Sequence, residues 1–194
     1  MPKIILIGPP GSGKDTVGRI VSKKTGVPMI IMGSLLRSTL KGELKKKIDK
    51  GEFIPDSVTY RILKRKISKL NSFILNGFPR KVSQAKTLEK WGGVDKVFFL
   101  NVPIKEVFKR LSKRYVCPNC AFVSNKPGVC PNCGLKLIKR SDDNPEIVKK
   151  RIKIYYKQTL PVIKFYKKIK KLVTIKEKNS SLTARKIEKT LKLL

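Results

Sequence analysis

A glycine-rich stretch near the start of the chain has the composition and order of a phosphate-binding loop. It lies between the apolar run 4–7 and a helical pattern, and it comprises Gly8, Pro9, Pro10, Gly11, Ser12, Gly13, Lys14, Asp15 and Thr16. Glycines allow backbone N–H groups to approach a phosphate, while a helix N-terminus and a lysine supply positive charge. A strand, such a turn and a helix together predict a P-loop that binds a nucleoside triphosphate.

The position directly after the lysine departs from the usual P-loop pattern. That pattern has Ser or Thr there, with a hydroxyl that reaches Mg²⁺. This chain has Asp15 instead, and Thr16 follows one residue later. The alternative interpretation is a glycine-rich turn between a strand and a helix that binds no ligand. The preceding strand, the spacing and Lys14 together favour the nucleotide site.

Length and composition indicate one domain with inserts, or one domain with a small additional module. The chain has 194 residues, and its hydrophobic content of 40% is enough to build a core. No apolar run approaches the roughly 20 residues of a membrane-spanning helix. The run 4–7 is too short for a cleavable signal and leads directly into the glycine-rich loop. We therefore expect a protein of the cytoplasm that has no membrane partner.

The charge balance is strongly basic, with 46 Lys and Arg residues against 13 Asp and Glu residues and a net charge of +33. Such a charge suits a polyanion partner such as nucleic acid. It also suits a lysine bias spread over solvated faces, and we favour this interpretation. The reason is that no stripe of basic residues alternates with aromatic residues, as in a single-strand binder. We expect nonspecific binding of nucleic acid at low salt but no specific binding.

Apolar runs bounded by turn residues predict strands that alternate with helices. The predicted strands are 4–7, 29–31, 72–75, 96–101 and 172–175. The predicted helices are 16–25, 34–41, 43–50, 57–70, 104–114, 145–170 and 181–194. This alternation predicts an α/β fold with a parallel sheet flanked by helices. We expect Asp56 to cap the helix that follows it and Pro161 to break or kink the long helix.

Two polar segments, 8–16 and 76–80, directly follow predicted strands. Ligands of parallel α/β sheets bind beyond the carboxyl ends of the strands. Both segments should therefore face one crevice.

The cysteines form two Cys-x-x-Cys pairs separated by nine residues: Cys117, Cys120, Cys130 and Cys133. Two such pairs predict a Zn²⁺ site with four thiolate ligands and no open position, which is a structural site. The chain has no histidine, so a mixed site is excluded. Two disulfides or a redox dithiol are the alternatives, although disulfides fit poorly with an intracellular nucleotide-binding protein.

Further motifs, in order along the chain, make this sequence resemble the adenylate kinase family, of the type with a zinc-bearing lid. The resemblance runs from Lys3 to about Tyr166. Besides the P-loop and the cysteines it rests on these segments and residues: Met32-Gly33-Ser34-Leu35-Leu36-Arg37, Gly51-Glu52-Phe53-Ile54-Pro55-Asp56, Gly77-Phe78-Pro79-Arg80, Gln84, Arg110, Arg114, Arg140-Ser141-Asp142-Asp143 and Arg151.

The resemblance implies a P-loop NTPase-type core with two inserts. The core would comprise residues 1–30, 61–114 and 141–194. A helical insert at 31–60 would bind the nucleoside monophosphate, and a small zinc-ribbon lid would span 115–140. The implied activity is reversible phosphoryl transfer, ATP + AMP = 2 ADP, by a monomer that uses Mg²⁺ with ATP and holds a structural Zn²⁺.

Phosphoryl transfer between two polyanions needs charge neutralisation and positioning. By resemblance, the groups around the transferring phosphate are Lys14, Arg80, Arg110, Arg114, Arg140 and Arg151. The residues at the ATP would be Gly8, Gly11, Ser12, Gly13, Lys14, Asp15, Thr16, Arg110, Arg114, Val123, Ser124 and Asn179. The residues at the AMP would be Met32, Gly33, Arg37, Glu52, Phe53, Ile54, Gly77, Phe78, Arg80, Gln84, Arg140 and Arg151.

Several positions leave alternatives open. Family members usually have Thr-Gly-Asp at 32–34, Asp at 76 and Gly at 15, where this chain has Met32, Ser34, Asn76 and Asp15. Met32 keeps open another acceptor (UMP, CMP or GMP). Loss of the aspartates keeps open a catalytically weak RNA-binding protein built on the P-loop and the zinc ribbon.

The roles of two acidic residues and of one glutamine also stay open. Asp142 and Asp143 could pair with arginines to set closure of the lid, or they could cap the helix beginning near Pro145. The amide of Gln84 implies recognition of adenine, whereas a helical Gln can also be an ordinary surface residue.

Overall fold

A computed structural model describes residues 1–50, 52, 54–120, 122–176 and 179–192. Five parallel strands form the central sheet in the order β2-β3-β1-β4-β7. Their bounds are β1 Lys3–Ile7, β2 Met29–Ile31, β3 Phe73–Asn76, β4 Lys96–Leu100 and β7 Leu172–Ile175. The predicted parallel sheet flanked by helices is confirmed.

Helices cover both faces of this sheet. They are α1 Lys14–Thr25, α2 Met32–Thr39, α3 Gly42–Asp49, α4 Asp56–Ile67, α5 Val82–Lys90, α6 Ile104–Ser112, α7 Pro145–Ile154, α8 Leu160–Lys168 and α9 Ser180–Leu191. The central strand β1 is apolar and buried throughout residues 4–7, as expected for a parallel strand covered on both sides. Its side chains belong alternately to two apolar clusters. Ile4 and Leu6 pack in the cluster with α1 and α9, whereas Ile5 and Ile7 pack in the cluster with α5 and α8.

A third cluster joins α6 to α7 and includes Val107, Leu111, Val148 and Ile152, all of them buried. These helices carry Arg110 and Arg151. Close packing of their apolar faces therefore holds two of the predicted site arginines on a rigid pair of helices.

One expectation about helix termini is wrong. Pro55, and not Asp56, occupies the position before α4, and no side chain caps that helix. At α7 the cap is Asn144, whose side-chain oxygen accepts a hydrogen bond from the backbone N–H of Glu146, 3.0 Å away. Capping is one of the two uses left open for Asp142 and Asp143, and the structure does not adopt it. The carboxylates of all three aspartates bind other side chains instead.

The predicted interruption of the long C-terminal helix is confirmed. A π-helical turn, Tyr155–Thr159, separates α7 from α8, and Pro161 lies in the first turn of α8. The backbone stays helical between α7 and α8, so the interruption is a change of helix type beside Pro161, which has no N–H to donate to an α-helical hydrogen bond. The other helix and strand bounds, including those of α4, agree with the predictions to within three residues.

The cysteine segment forms a small antiparallel hairpin, β5 Tyr115–Val116 with β6 Val123–Ser124. An isolated bridge between Val116 and Ile138 closes its base. Its apolar interior is small, and the buried members are Cys117, Cys130 and Leu137. Among the described residues, no helix has the length and apolar character needed to cross a membrane.

Candidate active site

The glycine-rich segment turns from β1 into α1 at the carboxyl edge of the sheet. A Cβ at Gly8 would lie 2.7 Å from the carbonyl oxygen of Leu100, so only glycine fits against β4 there. Gly13 precedes α1 with φ of +89°, a left-handed conformation that favours glycine. These two positions explain why the segment is glycine-rich and why the N-terminus of α1 is free to face a ligand.

The Lys14 ammonium group lies over the loop. Its Nζ donates to the carbonyl oxygens of Gly8 at 2.9 Å and Pro9 at 2.8 Å, and to Ser12 Oγ at 3.0 Å. Burial is the main cause that lowers the pKa of Lys14 to about 7; the positive charges of Arg80, Arg151 and Arg114 contribute, and Asp15 opposes them. Lys14 and these arginines place several positive groups where the P-loop predicts phosphate.

Asp142 lies close to arginines from three parts of the chain. It is 5% exposed and accepts two hydrogen bonds from Arg140, at 2.7 Å from Nε and 2.5 Å from Nη2. Arg151 Nη1 lies 3.3 Å from Asp142 Oδ2, and Arg37 Nη1 lies 4.0 Å from the same oxygen. Asp143 holds the guanidinium of Arg114 through both of its oxygens. The pairing of these aspartates with arginines is thus the use that the structure adopts.

The arginines outnumber the carboxylates that they share. Burial lowers the pKa of Arg80 to about 10, and the neighbouring charges of Arg151 and Arg37 contribute. The pKa of Asp142 is lowered, since Arg151 and Arg140 outweigh the opposing effect of its burial. Crowded cations beside ionised aspartates make a region that would bind a further polyanion.

Two cavities meet at this cluster. The larger, about 610 Å³, lies over the P-loop, and the smaller, about 80 Å³, lies between α2, α4 and α5. Seven residues line both cavities: Gly33, Arg37, Gly77, Phe78, Arg80, Arg140 and Arg151. The arginines therefore stand at the junction, where they can reach groups in either cavity.

Most of the predicted residues line these cavities. Those in the larger cavity alone are Gly8, Gly11, Gly13, Lys14, Asp15, Thr16, Arg110, Arg114 and Val123. Those in the smaller cavity alone are Met32, Glu52, Ile54 and Gln84. Gln84 is buried, so the alternative of a surface glutamine is wrong.

Three predicted residues in the described part of the chain are not among the lining residues. Ser12 is buried beneath the loop, Ser124 exchanges hydrogen bonds with the backbone of Lys126, and Asn179 uses its side-chain oxygen to cap α9. Phe53 lies outside the described residues.

Sequence reasoning missed several residues that line the larger cavity. Among them are Glu106, whose carboxylate accepts a 3.0 Å hydrogen bond from Arg110 Nε, and Thr159, whose hydroxyl donates to the carbonyl oxygen of Arg80 at 3.1 Å. The spacing of Glu106 and Arg110 on one helix is a recognisable signal, because residues four apart are neighbours. Nothing in the sequence pattern marks Thr159, which comes from the π-helical turn.

Two of the unusual positions meet in the structure. Asn76 ends β3, and its side-chain amide donates a hydrogen bond to the carboxylate of Asp15 at the start of α1. The other amide atom, Asn76 Oδ1, is buried and finds no partner among the described residues. Both residues line the larger cavity. The acidic group that is missing at the end of β3 is thus present on the adjacent loop.

The cysteine sulfurs form a compact group, with all four ligand atoms within 4.8 Å of one another. The Sγ–Sγ distances are 3.3 Å for Cys117 and Cys133, 3.4 Å for Cys120 and Cys130, and 3.9 Å for Cys120 and Cys133. Sulfurs at about 2.3 Å from a tetrahedral Zn²⁺ lie about 3.8 Å apart. All four thiols are free, and this group could hold a metal ion.

A phosphate loop at the carboxyl edge of a parallel sheet, facing arginines across a cavity, defines a P-loop phosphotransferase. The sequence model of the family described as adenylate kinase matches residues 6–171. The adenylate kinase of Caldicellulosiruptor bescii is 38% identical over 186 residues, with 85% of this chain and 86% of the relative covered.

Two further relatives agree. The adenylate kinase of Ureaplasma urealyticum is 39% identical over 183 residues, and the match covers 85% of this chain and 86% of the relative. The adenylate kinase of Thermosipho africanus is 37% identical over 193 residues, and the match covers 89% of this chain and 90% of the relative. The chain belongs to the adenylate kinase family and is a nucleoside monophosphate kinase.

The pKa of Lys14 predicts that nucleotide binding takes up protons. A bound polyphosphate favours the charged ammonium group and so raises the pKa from about 7. The affinity for ATP is then greatest below pH 7 and falls by up to about tenfold per pH unit above it, over the interval between the free and bound pKa values. Titration calorimetry between pH 7.5 and 9, where phosphates are already ionised, measures both the affinity and the proton uptake.

The matched control is Lys14→Met. This variant should bind ATP more weakly, and it should no longer take up protons when ATP binds. Equal uptake by the variant and by the unchanged protein would contradict the assignment to Lys14.

Proposed function

We propose that this chain is an adenylate kinase that catalyses ATP + AMP = 2 ADP with Mg²⁺. The observation that carries the proposal is the junction of two cavities at Arg37, Arg80, Arg140 and Arg151. A large cavity over a P-loop suits the triphosphate donor. A smaller cavity that has apolar side chains and the amide of Gln84 beside the arginines suits a nucleobase and its phosphate. Arginines between them can bind phosphates from both nucleotides.

The chemistry requires positioning more than covalent assistance. Lys14 and the amides of the P-loop hold the phosphates of the donor. Arg37 and Arg80 hold the phosphate of the acceptor, while Arg114, Arg140 and Arg151 neutralise the charge that spreads over the transferring group. Arginine suits these positions because its planar fork makes paired hydrogen bonds to phosphate oxygens. Two carboxylates that already orient the arginines reduce the reorganisation needed when the nucleotides bind.

Segments 31–60 and 115–140 act as the two inserts that cover the nucleotides, and residues 1–30, 61–114 and 141–194 form the core. Covering the site excludes water and prevents hydrolysis of ATP. The helix α4 runs from the first insert into the core. A monomeric state and a place in the cytoplasm stay predictions.

The first experiment measures ADP formation from MgATP with AMP, UMP, CMP and GMP in parallel. We expect rapid turnover with AMP and at least 100-fold lower kcat/KM with the other acceptors, because a buried polar group discriminates strongly against a base that cannot pair with it. Arg151→Lys should lower kcat by about 100-fold or more. The matched control is the exposed Arg185→Lys, which should change little.

Preference for UMP, CMP or GMP would assign a different acceptor and implicate Met32. An absence of turnover with every acceptor, together with salt-dependent RNA binding, would support the RNA-binding alternative.

The four cysteines hold one structural Zn²⁺, which stabilises a hairpin whose buried interior is small. Burial opposes ionisation of Cys117, but hydrogen bonds from neighbouring groups, the Cys120 N–H first among them, outweigh it and lower the pKa of that thiol to about 6. Burial raises the pKa of Cys130 to about 12, so its thiolate forms when a metal ion displaces the proton. The zinc supplies no chemistry to phosphoryl transfer, because four thiolates leave it no open position.

We expect about one zinc per chain by elemental analysis. Cys130→Ser should lose the metal and lower the melting temperature of the protein, since the hairpin then has little else to order it. The control is the exposed Lys136→Ser in the same segment. Full metal content in Cys130→Ser, or a metal-free protein that melts at the same temperature, would refute the site.

Asp15 and Asn76 are the residues that support Mg²⁺, which arrives mainly with the nucleotide. Oxygen ligands suit this ion, and when bound it neutralises phosphate charge. The Asp15 carboxylate fits this cation because it supplies oxygen ligands at the larger cavity, which Asn76 also lines, and the buried Asn76 Oδ1 has no partner among the described residues. The carboxylate on its own repels phosphate, so its effect on binding depends on the cation.

This predicts opposite effects of Asp15→Asn on ATP affinity in calorimetry. Without Mg²⁺ the variant should bind ATP more tightly, since a repulsive charge is removed; with saturating Mg²⁺ it should bind more weakly, each by roughly threefold to tenfold. Asn76→Asp should strengthen the dependence on Mg²⁺. Tighter binding by Asp15→Asn under both conditions would show that Asp15 only repels, and an unchanged Mg²⁺ affinity in Asn76→Asp would contradict the role of position 76.

A further inference from the structure

The amide of Gln84 has two partners that hold it in one orientation. Its Oε1 accepts a hydrogen bond from the backbone N–H of Arg80 at 2.8 Å, and its Nε2 donates to Asp56 Oδ1 at 2.8 Å. The residue is 3% exposed and lines the smaller cavity. Little of the Gln84 side chain is therefore open to solvent that could replace these partners.

Reversal of this amide would be unfavourable at both ends. A backbone N–H can only donate, and a carboxylate can only accept. A flipped amide would set its NH₂ against the Arg80 N–H and its oxygen against Asp56. Asp56 is itself anchored, because Lys81 Nζ donates to the same Oδ1 from 3.1 Å. The carboxylate thus fixes which end of Gln84 is the donor.

The fixed amide keeps one N–H and one oxygen lone pair for a ligand, since an amide has two donors and two acceptor positions in total. On adenine, the pairing edge offers a ring nitrogen that accepts and an exocyclic amine that donates. On hypoxanthine or guanine, the ring nitrogen donates and the exocyclic oxygen accepts. An amide that cannot turn can match only one of these two arrangements.

We propose that Asp56 is a positioning residue that sets the choice between six-amino and six-oxo purines at the acceptor site, acting through the orientation of Gln84. This inference rests on the proposed function, because it assumes that the smaller cavity holds the acceptor base. It assigns to Asp56 a part in specificity, in place of the helix cap that its position in the sequence indicates.

The test compares AMP with IMP, whose bases differ only at this edge. In the unchanged protein, kcat/KM for AMP should exceed that for IMP by at least about 100-fold. Asp56→Leu removes the acceptor for Gln84 Nε2, so this ratio should fall by about tenfold or more, because one hydrogen bond to a charged group no longer opposes the flip. General damage to folding would lower both activities and leave the ratio unchanged.

Two variants separate the hydrogen bond from the charge. Asp56→Asn retains an oxygen that both Gln84 and Lys81 can share, so the AMP/IMP ratio should return to within about threefold of the original. Lys81→Met removes the ion pair and should leave the ratio unchanged. A ratio that Asp56→Leu does not change, or that Asp56→Asn or Lys81→Met lowers as much as Asp56→Leu does, would overturn the proposal.

A measurement on the unchanged protein keeps the test valid if Asp56→Leu does not fold. Purine riboside monophosphate keeps the accepting ring nitrogen and lacks the exocyclic amine, so it loses one hydrogen bond without meeting a mismatch. Calorimetric affinities should fall in the order AMP, purine riboside monophosphate, IMP. Equal binding of IMP and AMP would overturn the inference, whereas a failure of AMP to give ADP at all would instead overturn the proposed function.

Discussion

The gathering of like charges around one cavity is the constraint on which the rest of this structure depends. Arg37 comes from α2, Arg114 from the segment after α6, Arg140 from the end of the hairpin segment and Arg151 from α7. Bringing them together is unfavourable unless negative charge is supplied locally. A single turn, Ser141–Asp143, supplies it through two buried carboxylates. The neutralisation is incomplete, because more guanidinium groups than carboxylates meet at this cluster.

The sheet determines where this charge collects. Because β1 and β3 are adjacent and parallel, the loops after them emerge side by side, with Leu6 in register with Asn76. Apolar packing on both faces keeps these strand ends rigid, and the α6–α7 cluster holds the arginine-bearing helices against them. Rigid positions matter because polar groups stabilise transferred charge best when they are already oriented.

Amide side chains paired with carboxylates occur at both cavities. Asn76 donates to Asp15 beside the larger cavity, and Gln84 donates to Asp56 beside the smaller one. An amide is chemically ambiguous until a neighbour selects its orientation. In both pairs the carboxylate makes that selection by accepting a hydrogen bond from the NH₂ end of the amide. A small number of acidic residues in a very basic chain therefore acts by orienting other groups.

The sequence alone determined the features that depend on near neighbours. Glycine spacing identified the P-loop, apolar runs located all five strands of the parallel sheet, and Pro161 marked an interruption of a helix. Cysteine spacing predicted a compact group of sulfurs, and motif order predicted the family. Each of these follows from backbone preferences or short-range spacing, which a linear pattern records directly.

Only the tertiary structure decided which distant side chains share a hydrogen bond. Asp15 and Asn76 are 61 positions apart, and Asp56 and Gln84 are 28 apart. Asp56 precedes a helix in the sequence and so resembles a cap, yet the packing of α4 against α5 gives its carboxylate other donors. A helix cap depends on local backbone geometry, whereas a carboxylate inside the fold binds the donors that the tertiary structure brings within reach. Buried polar groups that are left without a partner are costly, so such pairs form wherever the fold allows them.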